Sequence, residues 1–196
     1  MARSPSSLSS FLAVFHSPRA ALADIADRGA RRDGFVAMLV LGAVHAGFSL
    51  ILHLAGYAPR MGIPGFGREN HYLWQAFFVF PLYLALFWVG GLVTHGVARG
   101  FSGSGSRDAS FAVFGVAYAA PMIMLFLVPD ILVFEIFGFN AIGKAMRWYA
   151  PVAAIACVWL GALGLSRAHK ISAGRASLAA IAGFLAQAIV GGAFLR

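Results

Sequence analysis

Five apolar runs occupy more than half of this chain: residues 35–55, 74–98, 111–129, 149–165 and 176–195. None of them contains Lys, Arg, Asp or Glu. A helix needs about 20 predominantly apolar residues, range about 17–25, to cross a bilayer. All five runs qualify, the fourth at the short limit. Water is absent from the bilayer core, so backbone polar groups must be satisfied within the segment, and a continuous apolar run of this length is helical. Membrane β-strands alternate in polarity over about 10 residues, a pattern these runs lack. The sequence is 60% hydrophobic and only 11% charged, against about 25% charged in soluble domains. The expected fold is an all-α integral membrane protein. It is a five-helix transmembrane bundle (residues 35–196) preceded by an amino-terminal segment (residues 1–34) with short amphipathic helices.

The first 34 residues are polar and charged, and the first apolar run is too long and too late for a cleavable signal core. That run is expected to act as an uncleaved insertion signal. The single cysteine, Cys157, lies in the fourth run and excludes an intrachain disulfide framework. The formal net charge is +8. Its basic residues are scattered through loops rather than gathered on one face, so nucleic acid is not an expected partner. Lys and Arg instead mark the cytoplasmic side. Ten of them fall before the first run and in the second and fourth connections, and five fall on the other side. Arg28, Arg31 and Arg32 flank the first run directly. The amino terminus is therefore expected in the cytoplasm and the carboxyl terminus outside. High Ala, Gly and Arg usage hints at a bacterial protein of the inner membrane.

Leu8, Phe11, Leu12 and Phe15 recur at helical spacing. Ser17-Pro18 then places a capping residue before a proline at the first helical position. The helix that follows turns Leu22 and Ile25 inward and Asp24, Asp27 and Arg28 outward. These two short helices either lie in the membrane interface or pack under the bundle as a cap. Gly100–Ser106 reads as a flexible turn ending in a Ser106 or Asp108 cap. It lacks the Lys-Ser/Thr of a phosphate loop. Residues 130–140, apolar but punctuated by Asp130, Glu135 and Gly138, read as an interfacial segment, with continuation of the third helix as the alternative. Gly42 with Ala46, Ala43 with Gly47, Cys157 with Gly161, Ala179 with Gly183, and Ala188 with Gly192 have the small-xxx-small spacing that lets helices approach closely. Packing within the chain is the simpler reading of these pairs, and a dimer interface the alternative.

Polar groups at membrane depth are costly and often functional. The candidates are His45, His53, His95 and Gln187. His45 and His53 stand about 80° apart on one helix at about 100° per residue. With His95 they fall at three depths and form no metal-ligand spacing. Hydrogen-bonded packing is the expectation for the histidines, with no metal, cofactor or small-molecule substrate. No nucleophile–base set is evident, and no enzyme activity is expected.

Several local patterns resemble a known family. Phe15-His16-Ser17-Pro18 precedes Ile25, a basic stretch and the first run. The second run ends at Arg99, and a Gly/Ser turn with Arg107-Asp108 leads into the third. Tyr118-Ala119-Ala120-Pro121 in the third run is similar to a Gly-Tyr-x-x-x-Pro element, with Ala117 at the glycine and a spacing one residue shorter. Over residues 11–195 the chain thus resembles bacterial members of the Yip family, named in eukaryotes for interaction with Rab-type GTPases. Leu82-Tyr83 and Phe87-Trp88-Val89 only faintly match the eukaryotic Asp-Leu-Tyr-Gly-Pro-Phe-Trp-Ile motif. The aspartate is absent, so GTPase binding is not implied. The resemblance implies a non-enzymatic polytopic membrane protein that organises membrane or partner proteins, with Tyr118 and Pro121 marking a bend. A subunit of a larger membrane complex, for example an energy-transducing one, a homo-oligomer, and a small-solute channel or transporter are the alternatives.

Overall fold

The computed structural model describes residues 7–59 and 67–192. Two short helices, α1 (Ser7–Ala13) and α2 (Pro18–Arg28), precede the first long helix, α3 (Arg31–Leu54). A single 3-10 turn (Arg68–Asn70) leads into α4 (His71–Gly100), which runs through Pro81 without a break. The third crossing is composite: α5 (Arg107–Pro121), a π-helical segment (Met122–Leu127) and α6 (Val128–Phe137). Then follow α7 (Phe139–His169) and α8 (Ala173–Gly192). Among the described residues, five helical segments are long and apolar enough to cross a membrane.

The helices overshoot the apolar runs. Residues 130–137, expected to lie flat at the interface, continue the third crossing as α6, and α7 begins at Phe139 rather than 149. Two local causes account for this. The Pro129 ring crowds the carbonyl of Leu125, and the wider π turn covers that residue. Asp130 is buried, and its carboxylate accepts a hydrogen bond from the Tyr149 hydroxyl of α7. A paired carboxylate can sit where a lone one would be too costly. The chain then reverses at Gly138, whose φ of 79° suits a residue without a side chain.

The centre of the bundle is α5, buried on all sides from Ala109 to Pro121. A helix that is apolar all round belongs in an interior, and Ala, Gly and Ser keep this one slender. Its neighbours α3, α4 and α7 meet it through glycines. A Cβ on Gly34 would lie 2.3 Å from the Phe111 carbonyl oxygen, and one on Gly115 would lie 2.5 Å from the Gly34 oxygen. Backbone thus meets backbone where α3 crosses α5. The Phe111 and Phe114 rings fill the space left by Gly91 and Gly90 of α4, and Val113 fills that left by Gly164 of α7. The outer faces of α4, α7 and α8 present Phe77, Trp148, Ile155, Leu185 and Ile189. Such a surface belongs against lipid rather than water.

Antiparallel crossing gathers the start of α3, the end of α4, the start of α5 and the end of α7 at one end. Arg28, Arg31, Arg32, Arg99, Arg107, Arg167 and Lys170 cluster there, and we call it the basic end. At the opposite end Tyr57 stacks on Phe139, ring centroids 4.8 Å apart, with Phe134 and Tyr72 packed edge-on around them.

Candidate functional site

At the basic end α1 and α2 form a cap under the bundle. Leu22 and Ile25 are fully buried, with Phe11 and Val14 beside them in the same core. Helix α2 begins at Pro18, but the Ser17 hydroxyl donates back to the Ala13 carbonyl (3.4 Å) rather than capping. It ends at Gly29 in the left-handed region (φ 57°), whose N–H bonds the Ile25 carbonyl (3.0 Å). Gly29 packs against Ala109 and Ser106 of α5.

Polar contacts pin this cap to the bundle at two places, and a third joins α3 to α5 beside it. The Arg167 guanidinium of α7 grips both Asp27 oxygens, at 3.0 and 2.8 Å. Arg28 reaches Ser10 of α1 (2.7 Å), Asp24 (3.0 Å) and Asp33 of α3. The Asp33 contact is an ion pair at 2.7 Å without hydrogen-bond alignment, and Asp33 is only 2% exposed. Arg31 donates to Asp108, its Nε at 2.8 Å. The guanidiniums of Arg31 and Arg107 both lie over the Trp88 and Phe111 rings, 5.4–5.9 Å from the centroids, a cation–π arrangement at the edge of the apolar zone.

Hydrogen bonding from Arg167 holds the Asp27 carboxyl below its ordinary value of 3.8. A depressed carboxylate favours the folded state above the unfolded pKa, and that contribution disappears as pH falls through the folded value. The pair is more than half exposed, so its contribution is small. Asp27→Asn is therefore expected to raise protease access to residues 14–30 modestly at pH 7. Wild type should come to match the variant only below about pH 4. Equal cleavage of the two at pH 7 would show that the pair does not hold the cap.

Behind the cap lies a polar cluster that joins α4, α5 and α7. His95 Nδ1 is 3.0 Å from the Ser110 hydroxyl, and His169 Nε2 is 2.7 Å from it on the other side. Ser110 also donates to the Ser106 carbonyl (3.1 Å). A hydroxyl has one proton and two lone pairs. With its proton on Ser106, it accepts from both imidazoles, which fully occupies the oxygen. That makes it a strut joining three helices, and Ser110 is 0% exposed. The Gly-rich turn folds over His169: a Cβ on Gly103 would stand 2.6 Å from Nδ1, and Ser104 N–H bonds the His169 carbonyl (3.0 Å). The glycines serve this close approach. Ser106 caps α5 by accepting from Ala109 N–H (3.1 Å).

The intramembrane candidates take separate places. His45 Nδ1 hydrogen-bonds the buried Tyr83 hydroxyl of α4 (2.9 Å). His53 has a buried Nδ1 with no partner among the described residues. His95 meets His169, ring centroids 5.5 Å apart, rather than either other candidate. Among the described residues no three of His, Cys, Asp and Glu gather as a metal set. Tyr118 is stacked on Phe114 (6.2 Å), and its carbonyl accepts from the Cys157 thiol (3.7 Å). Pro121 leads directly into the π segment. Gln187 is 1% exposed, and neither amide atom has a partner among the described residues. Cβ positions at Gly42, Gly161 and Gly183 meet Phe80 (3.1 Å), Ala180 (3.0 Å) and Thr94 (1.9 Å) of the same chain. Ala46 is buried. Gly192 ends α8, and its surroundings lie outside the described residues.

Residue-by-residue reading missed His169, Ser110, Asp33 and the Ser49–Gln75 hydrogen bond (3.0 Å) between α3 and α4. Each pairs across helices distant in sequence. The one available signal was polarity inside or beside an apolar run, which marks a residue as needing a partner without saying which.

Fold and polar framework together define a polytopic α-helical membrane protein whose amino-terminal helices are clamped to one end of a five-span bundle. The chain belongs to the Yip1 domain family, whose model matches residues 12–195. No curated protein and no solved structure matches it.

Proposed function

We propose that this protein is a non-enzymatic organiser of partner proteins in the bacterial inner membrane. In this reading the basic end faces the cytoplasm, and the α1–α2 cap is the surface on which a membrane-protein partner docks. One observation carries the proposal. The cap is fastened to the bundle by Asp27–Arg167 and by Arg28, yet Leu8 and Leu12, one turn apart on α1, are 49% and 50% exposed. Ordering a flexible segment on binding lowers affinity. A platform already held rigid avoids that cost and presents its apolar knobs in place.

The test is affinity purification from native membranes in mild detergent, comparing wild type with a Leu8→Glu/Leu12→Glu variant. A membrane protein should co-purify with wild type in fixed stoichiometry and fall at least about 10-fold in the variant, the worth of burying one such side chain. Cys157 should stay protected from alkylation in both. In sealed vesicles, protease should cut the cap only from the cytoplasmic face. A partner retained equally by the variant would refute the docking role. Turnover of a solute or lipid, lost on one polar substitution, would refute the non-enzymatic reading.

A further inference from the structure

A cavity of about 260 Å³ lies where α4, the π segment, α7 and α8 meet. Its walls are apolar: Leu86, Met122, Phe126 and Phe184. Two polar side chains enter the lining, Tyr118 and Gln187. Gln187 sits 14 residues into α8, about 21 Å along its axis, so the cavity lies at membrane depth. The space exists because its remaining positions are small. Ala150 and Ala154 of α7 and Ala188 and Gly191 of α8 complete the lining. Exposed Ile155 and Ile189 flank those alanines, and Ala188 is itself exposed, so this side opens to lipid.

Gln187 is the anomaly. A primary amide offers two donors and an acceptor. Leaving such a group buried and unpaired costs about 1–3 kcal/mol for each missing bond. Leucine would fill the same volume at no such cost. Water is a poor occupant. A space this size admits several waters, each wanting two to four polar partners, and only one phenol and one amide line it besides apolar groups. An apolar cavity of about 150 Å³ in another protein stays dry and takes benzene, so this one has room for a larger apolar body. Among the described residues no charged side chain lines it, which disfavours a phosphate or carboxylate headgroup.

We infer that this cavity is a binding site for a neutral lipid-soluble alcohol or phenol, which enters from the bilayer between α7 and α8. Its hydroxyl donates to Gln187 Oε1 and accepts from Gln187 Nε2–H or the Tyr118 hydroxyl, while its hydrocarbon body packs on Leu86, Phe126 and Phe184. The inference is independent of any docking at the cap.

The probe is a long-chain alcohol carrying a diazirine and a terminal alkyne, presented to the purified full-length protein in nanodiscs. Its methyl ether, which accepts but cannot donate, is the comparison. Photolabelling by the alcohol should map to peptides containing residues 118–126 and 184–191. The ether should label these about 3- to 10-fold less, the worth of one net hydrogen bond. Gln187→Leu should abolish the preference for the alcohol, and Ala154→Phe should remove labelling by both probes. Equal labelling by alcohol and ether in wild type would overturn the proposal, as would a preference that survives Gln187→Leu. Labelling that persists in Ala154→Phe would place the adduct elsewhere and overturn it too. The ether comparison needs no variant, so it decides the matter even where a substitution impairs folding.

Discussion

Gly115→Val will dismantle the bundle. A Cβ at this position lies 2.5 Å from the Gly34 oxygen, 2.6 Å from its Cα and 2.7 Å from its carbonyl carbon. All three atoms are backbone, so no rotamer change can relieve the clash, and α3 must move away from α5. Overpacking of a well-filled core costs about 1–3 kcal/mol when side chains can adjust. Here they cannot, and the loss should reach or exceed about 3 kcal/mol. Separating α3 from α5 also disturbs Gly90, Gly91 and Gly164, whose partners project from the same central helix. Cys157 reports the outcome directly. It is the only cysteine in the sequence and is 6% exposed, so its alkylation on heating tracks opening of the bundle. The midpoint in detergent should fall by about 6–12 °C or the protein should fail to accumulate. Gly47→Ala and Gly96→Ala are the matched controls, since a Cβ at either meets nothing within 4 Å. Removing a helix-interior glycine there should be neutral or stabilise by up to about 1 kcal/mol. An unchanged midpoint for Gly115→Val would refute the close crossing of α3 and α5.

Arg28→Ala is the second large effect. Asp33 stands in the first turn of α3, where the helix dipole favours an acid, but it is 2% exposed and lies 2.7 Å from the Arg28 guanidinium. Removing one member of a buried pair leaves an uncompensated charge, at a cost of about 3–5 kcal/mol. Arg28 also links Ser10 and Asp24, so its loss unties α1 from α2. Cys157 should become reactive at lower temperature, and residues 14–30 should be cut sooner by protease. Asp33→Asn in the same chain should recover most of the loss, because it removes the stranded charge. The Asp33→Asn single variant should be milder than Arg28→Ala. If the double variant is no more stable than Arg28→Ala, the buried carboxylate is not the source of the defect.

The contrast between Gly115 and Gly42 shows what could be read without coordinates. Gly42 with Ala46 stands out at small-xxx-small spacing, and Gly42 does receive a neighbour, the Phe80 ring. The closest backbone-to-backbone crossing among the described helices joins Gly34 to Gly115. Spacing reveals that one helix carries a narrow stripe; the backbone that fills it belongs to another helix and leaves no local mark. Asp130 makes the same point for span length. An acid beside an apolar run suggests an interface, yet Tyr149 accepts it into a crossing that continues to Phe137. Likewise His95 proved to be half of a pair with His169, joined through Ser110. The amino-terminal helices had two equally good readings, and the structure adds that Leu22 and Ile25 are buried in the core of the bundle.

The sequence alone determined the solvent and the architecture: five uncharged runs must bond their own backbones, and only helices can do so in lipid. Short connections between successive runs also determined which ends lie together, because they make neighbouring helices antiparallel. Tertiary structure alone decided which helix is central, which polar groups find partners and that Gln187 faces a cavity. Those outcomes depend on side chains brought within about 3 Å across helices far apart in the chain, and local periodicity carries no record of such pairings.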